Sequence, residues 1–420
     1  MRLNRLIGVA ATALLIGNAS ASADMKSDVV ETYTKIAHAT YADSLLTARA
    51  LQAAVDDLLA NPNQSTLAAA REAWRVSRAP YQQTEVFRFG NAIVDDWEGK
   101  VNSWPLDEGL IDYVSTGAYG DSSDENVYYT ANVIANSSIT LSGKTIDAST
   151  IDANLLENVL HEVDGVEANV ATGYHAIEFL LWGQDLNGTN PGAGNRPATD
   201  FDTANCTNGN CDRRGQYLKA ATDLLVADLT WMTEQWAPGG AAAAGLTGGS
   251  AEAGLTAILT GMGSLSYGEL AGERMKLGLL LHDPEEEHDC FSDNTHYSHY
   301  YDVAGIRNVY HGVYKRVDGT TVRGTGLADI LPEAESKAVA DAIATTLGKM
   351  QVLVDEAHSG RPYDSLLAAG NEDGNAKVDA AVNALLGQTK AIERAIAALD
   401  LQGIGIEGSD SLDAPTAVVQ

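Results

Sequence analysis

The chain has 420 residues, room for two or three domains of ordinary size, and its 57 Asp and Glu against 27 Lys and Arg give a formal net charge of −30. Such a field repels nucleic acid and anionic lipid and concentrates cations, so nucleic-acid partners are excluded while a metal role is permitted. Solubility is the plainer account of so much acid, and charge alone decides nothing further.

Residues 1–23 have the pattern of a secretory signal: Arg2 and Arg5, an apolar run from Leu6 to Ile16, then Ala21-Ser-Ala23 as the cleavage motif. A periplasmic chain cut after Ala23 is expected. No Cys follows the apolar run to take a lipid, and no later apolar stretch reaches the roughly 20 residues that span a bilayer. Cys206 and Cys211, with four residues between them in a Gly/Asn-rich loop, suit a disulfide in an oxidising compartment. Cys290 is left over, as a buried thiol or a soft metal ligand.

In chain order, apolar residues at three- and four-residue steps predict a helix over 26–59. A second, capped by Ser65 or Thr66, is expected to stop near Pro80. Tyr81, Glu85 and Arg88 then fall at i, i+4 and i+7, one helix face with a phenol, a carboxylate and a guanidinium; a salt-bridged surface face is the alternative. Pro105, Asp107 and Glu108 mark a helix start. Residues 115–150 read as a long irregular excursion. Helices follow over 152–161, from Gly173, over 213–236, 252–281, 332–358 and 375–399, with a frayed tail after Gly403. The Ala/Gly-rich stretch 237–249 is the clearest composition shift and the expected boundary between domains at 24–236 and 250–403. Little strict alternation is visible, so the fold expected is all-α, two tandem four-helix-like bundles with sites on facing helices.

The most informative stretch is Gly173-Tyr-His-Ala-Ile-Glu-Phe-Leu-Leu-Trp-Gly-Gln-Asp185. His175 and Glu178, three residues apart, share one helix face, so one cation, proton or substrate can meet both. Trp182 continues the stripe of His175. The apolar surroundings predict burial, and a buried carboxylate costs several kcal/mol unless paired, protonated or metal-bound. A His–Glu hydrogen bond that only fixes packing is the alternative.

A second polar stretch runs from His282 to Asp302, and five of the nine histidines lie between 282 and 311. Asn294 or Thr295 caps a helix whose first turn holds His296 and His299, which the helix dipole keeps neutral and able to bind metal. Glu285, Glu286 and Glu287 precede them, read either as a solvated acidic turn or as part of the site. With Glu85, His175, Glu178 and Asp293 these histidines supply the carboxylate and imidazole ligands that suit iron.

Gly173-Tyr-His-Ala-Ile-Glu178 resembles the GxHxxE motif of the imelysin-like family, also called iron-regulated protein A. Glu85-Val-Phe-Arg-Phe-Gly90, Asn102-Ser-Trp-Pro-Leu-Asp-Glu108 with Ile111-Asp-Tyr-Val114, and Cys290-Phe-Ser-Asp-Asn-Thr-His296 with Gly305-Ile-Arg-Asn-Val-Tyr310 are similar to further blocks of that family. The resemblance spans about residues 30–400. It implies two related helical bundles with the motif helix in a cleft between them, in an exported bacterial protein linked to iron uptake and a membrane uptake partner. On it, His175 and Glu178 are the motif pair and Glu85, Arg88 and Asp107 are cleft neighbours; Tyr81 and Trp182 join the cleft from the faces they share with Glu85 and His175.

Three functions remain open. The first is binding of iron, as an ion or a chelate. A zinc-type metallopeptidase is the second, although Phe179 after Glu178 leaves neither HExxH nor HxxEH. The third is a metal-free binding module in which Glu178 pairs with Arg88 or shares a proton with another acid.

Overall fold

The computed structural model describes residues 8–418 except Glu125, with side chains from Asp24 onward. The secretory-signal reading of residues 1–23 lies outside those side chains, and its first seven residues lie outside the described residues altogether. What is described is all-α apart from two short antiparallel hairpins.

The first helix, Gly8–Ala60, buries Val29, Val30, Tyr33, Ile36 and Ala37 as its periodicity predicts. Further on its inner face turns polar: Leu46, Ala50 and Ala53 face outward, while Asp43, Ser44 and Thr47 are buried. Asp43 is taken inside because Tyr314, Arg316 and the Val317 N–H, some 270 residues away, all donate to it. Asn63, not Ser65 or Thr66, caps the next helix, accepting from both their N–H groups in a capping box. That helix runs through Pro80 to Gln82. Residues 85–87 form a separate 3-10 turn, so Tyr81, Glu85 and Arg88 are not on one helix face.

Gly8–Ala60 packs on Gln64–Gln82 and Cys211–Trp236, and Glu333–His358 packs on Glu372–Ala398 and Thr295–His311. Two sets of helices result. They meet where Gln64–Gln82 touches Thr295–His311 and where the Gly173–Trp182 helix touches the Cys290–Ser292 turn. The stretch 237–249 holds a short helix, Ala241–Thr247, with Ala242 and Ala243 buried.

Residues 251–281 make one continuous helical run, with Leu265–Lys276 wound in wider π turns. That winding aligns residues five apart, and Arg274 Nε donates to Glu269 at 2.8 Å. The expected fraying after Gly403 is not seen: Ile406, Glu407 and Ser409 lie over Gly263, Gly268 and Gly272, where no side chain stands in the way. The excursion at 115–150 contains a hairpin, Ser138–Leu141 with Lys144–Asp147, turned by Ser142 and Gly143 at φ +50° and +71°. A second hairpin pairs Val313–Lys315 with Thr321–Arg323.

Candidate metal centre

All ten residues of the Gly173–Trp182 helix are buried, which a ten-residue apolar segment with one carboxylate and one imidazole permits only if both polar groups find partners. Gly173 opens the helix at φ +79°, and a Cβ there would lie 2.4 Å from the Val101 carbonyl oxygen. The motif glycine is therefore a close-approach residue that lets the helix start against Val101. Trp74 Nε1 donates to the Tyr174 carbonyl at 3.0 Å, and the Trp104 ring meets the His175 ring edge-on at 5.1 Å.

His175 Nδ1 and Glu178 Oε2 are 3.1 Å apart, and Glu178 Oε1 accepts the Ser292 N–H at 3.0 Å. The imidazole of His288 lies edge-on to that of His175 with centroids 4.7 Å apart. Asp289 Oδ1 stands 4.0 Å from His175 Nδ1. Ligand atoms of His175, His288 and Asp289 all fall within 4.8 Å of one another, and all three residues are buried.

Burial, the largest single influence, would raise the Asp289 carboxyl; the Arg78 guanidinium, donating at 2.7 Å to one oxygen and 3.4 Å to the other, is the strongest of the several groups that together outweigh it. With Ser298 and Asn294 donating as well, the carboxyl is held at about 2. Arg78 is itself braced by Asn102, whose amide donates to Glu98. Burial first, then Arg78, pushes His175 well below the ordinary histidine range; burial first, then Arg274, does the same to His288. Burial, then Asp289, pushes Glu178 well up. The centre therefore combines one ionised carboxylate with two neutral imidazoles, the forms that bind metals. Neither His175 Nε2 nor His288 Nδ1 has a hydrogen-bond partner. Orphaned buried nitrogens of this kind carry a desolvation cost that a cation would offset, so the donor set fits a metal ion.

His288, Asn102 and Trp104 line a cavity of about 510 Å³ whose walls carry Arg88 and Arg274 among Glu98, Glu162, Glu167, Glu269, Glu273 and Glu286. Its acidic excess is a local focus of the negative field read from composition.

Other residues singled out in the sequence lie elsewhere. Glu85 pairs with Arg274 at 2.7 Å, in a buried network with Asp302 and Glu269, rather than joining His175. Arg88 binds Asp95, Glu98 and Glu269 on the cavity wall and is not the partner of Glu178. Asp107 accepts from the Asn126 amide. Tyr81 packs on Tyr174 at 4.7 Å beneath Arg78, and Trp182 lies under Arg71 and Arg75. His296 and His299 are neutral, pushed to about 4 and about 3, by burial before any neighbouring charge. His296 faces His358 and a surface cavity, and His299 packs on Tyr363. Asp293 meets Asp185 and Asp364. Glu287 is buried, not solvated. Cys206 and Cys211 are bridged, and Cys290 is a buried thiol that burial and then Glu285 push well up.

Sequence reasoning missed His288, Asp289, Arg78 and Asn102. His288 and Asp289 lie inside the polar stretch that was flagged, but nothing local distinguishes them from their neighbours; only the docking of the 290–292 turn on the motif helix does.

Fold and centre together define an all-helical protein with a buried imidazole–carboxylate cluster where two helical sets meet. The chain belongs to the imelysin family (peptidase M75), whose profile matches residues 37–392. A 96-residue segment is 33% identical to iron-regulated protein A of Synechococcus elongatus (strain ATCC 33912 / PCC 7942 / FACHB-805), covering 23% of this chain and a quarter (25%) of that protein. A solved structure described as an iron-regulated protein A precursor of Parabacteroides distasonis ATCC 8503 matches with a TM-score of 0.64 over 89% of this chain and 95% of that one, at 18% identity, a likeness of fold. Among the described residues no helix is long and apolar enough to cross a membrane.

Proposed function

We propose that this imelysin-family chain captures iron as a bare ion at a centre formed by His175, His288 and Asp289, in bacterial iron uptake outside the cytoplasm. The observation that carries the reading is the pair of neutral, unpartnered imidazole nitrogens beside an ionised carboxylate, all three residues buried. Two imidazoles and a carboxylate suit ferrous iron and zinc alike. Glu178 orients His175 through Nδ1, as carboxylates behind metal-bound histidines commonly do, and Arg78 keeps Asp289 charged. The acidic cavity at His288 concentrates cations at the entrance. Ligand atoms so enclosed favour an ion over an iron chelate.

The name of the Synechococcus relative, iron-regulated protein A, supports the link to iron. The signal pattern at 1–23 and the Cys206–Cys211 bridge support export, and an uptake partner in the membrane would receive the cargo. We take the two helical sets as domains meeting at the centre, with their boundary at 237–249.

The family's peptidase designation keeps zinc hydrolysis as the second reading. A hydrolytic base needs a free carboxylate oxygen for water, and both Glu178 oxygens are engaged, by His175 and by the Ser292 N–H. Metal analysis of the purified protein, with titration of the stripped form by ferrous, ferric and zinc ions, tests the proposal. Saturable iron binding that is lost in His175→Ala and His288→Ala supports it; iron-independent, zinc-dependent peptide hydrolysis lost in the same variants would replace it.

A further inference from the structure

The turn that brings Asp289 into the centre ends on an acid that belongs to another group. Asp293 follows Cys290–Ser292 in the left-handed conformation, φ +55°, and its carboxylate meets those of Asp185 and Asp364, with ligand oxygens of all three within 4.8 Å of one another. These acids come from three separate segments: just beyond the motif helix, the end of the 290–292 turn, and the first turn of Tyr363–Leu367.

Protein partners do not account for the convergence. Asp185 Oδ1 accepts the Asn187 N–H and amide at 2.9 and 2.6 Å, while Asp293 Oδ1 has no hydrogen-bond partner. Asp364 is fully buried, yet neither of its oxygens has a hydrogen-bond partner of good geometry. Glu287, 1% exposed, likewise has neither oxygen in a hydrogen bond of good geometry. A buried, unpartnered carboxylate set against two more is a standing electrostatic cost unless a cation or protons join them. Burial and then mutual repulsion push Asp364 up to about 7 and Asp293, with Asp185 as its neighbour, to about 6.

We propose that Asp185, Asp293 and Asp364 form a second cation site, for a hard divalent ion of the calcium class. An all-carboxylate set selects hard ions over the softer metals that imidazole attracts. Calcium takes oxygens at 2.3–2.6 Å, so ligands on opposite sides of it stand roughly 4.6–5.2 Å apart, which the spread of this cluster accommodates; magnesium demands a tighter octahedron. The ion would tie the end of the motif helix to the 289–293 turn and to Tyr363–Leu367, bracing two of the segments that carry the imidazole centre.

The test titrates the chelator-stripped full chain with CaCl2 and MgCl2 by calorimetry, as wild type, Asp364→Asn, Asp293→Asn, His175→Ala and the exposed control Asp57→Asn. The expected result is saturable calcium binding near one ion per chain, tighter than magnesium, unchanged in His175→Ala and Asp57→Asn and weakened at least tenfold in the other two. No saturable calcium binding, or equal binding by Asp364→Asn and Asp293→Asn, overturns the proposal. So does loss in His175→Ala, which would give the calcium to the imidazole centre. If circular dichroism shows that Asp364→Asn does not fold, the half-buried Asp185→Asn reads the same ligand set.

Discussion

Arg78 and Asp289, 211 residues apart in the chain, form a fully buried ion pair with Nη2 and Oδ1 2.7 Å apart, and it sits directly behind His175. Removing one partner of such a pair leaves a buried charge uncompensated, at a cost of about 3–5 kcal/mol. Arg78→Met is therefore expected to lower the urea midpoint sharply and to lift the Asp289 carboxyl toward neutrality. Arg78→Met combined with Asp289→Leu should recover much of the loss. A double-mutant cycle in urea checks this, and additive losses would contradict it.

His288 and His299 are both buried histidines of the same polar region, but only His288 shares a ligand cluster with His175. Metal affinity should fall at least tenfold in His288→Ala and stay within about threefold of wild type in His299→Ala and His296→Ala. Parallel titrations of the three variants separate the sites.

Gly173→Ala should destabilise the chain by about 2 kcal/mol or more, because the new Cβ meets the Val101 carbonyl at 2.4 Å in a left-handed backbone. Chemical denaturation measures it. Gly117→Ala, where no neighbouring atom lies within 4 Å, is the control and should stay within roughly 0.5 kcal/mol.

Above about pH 6.5, where the depressed histidines His175, His288, His296 and His299 no longer contribute the opposite slope, stability should fall as pH rises to 8. Burial lifts Glu98 to about 7 and Glu108 to about 8 from an ordinary 4.5. Between those values the folded chain holds protons that the unfolded chain has released, so their contribution is present below about pH 4.5 and lost as pH climbs through 7 and 8. Asp289 has the opposite sign: held at about 2 against an ordinary 3.8, it stabilises above 3.8 and that stability disappears as pH drops toward 2. Each tenfold change in proton affinity is worth about 1.4 kcal/mol. Urea midpoints of metal-free protein at pH 6.5 and pH 8 check the slope, and Glu98→Gln with Glu108→Gln should flatten it.

The helices and the His175–Glu178 pair were legible in the sequence because both rest on local spacing. Val29, Val30, Tyr33 and Ile36 repeat at helical steps, and an imidazole three residues before a lone carboxylate in an apolar helix stands out. The rest of the centre depends on long-range docking. Asp289 is one acid among many in an acidic stretch until Arg78 is placed against it, and Glu287 looked solvated because three glutamates in a row ordinarily are. The hairpin at 138–147 escaped notice because its first strand buries only Ile139 and Leu141 and its second strand buries nothing fully. The tail after Gly403 looked frayed because the groove that receives it, over Gly263, Gly268 and Gly272, is a property of another helix.

The most direct measurement is anaerobic titration of the stripped protein with ferrous ion, wild type beside His175→Ala, with bound iron determined after desalting. The account predicts saturation near one iron per chain for wild type, beyond whatever the carboxylate cluster retains, and loss of that iron in His175→Ala. Equal iron in both proteins, or none in wild type, would contradict a metal centre at His175, His288 and Asp289.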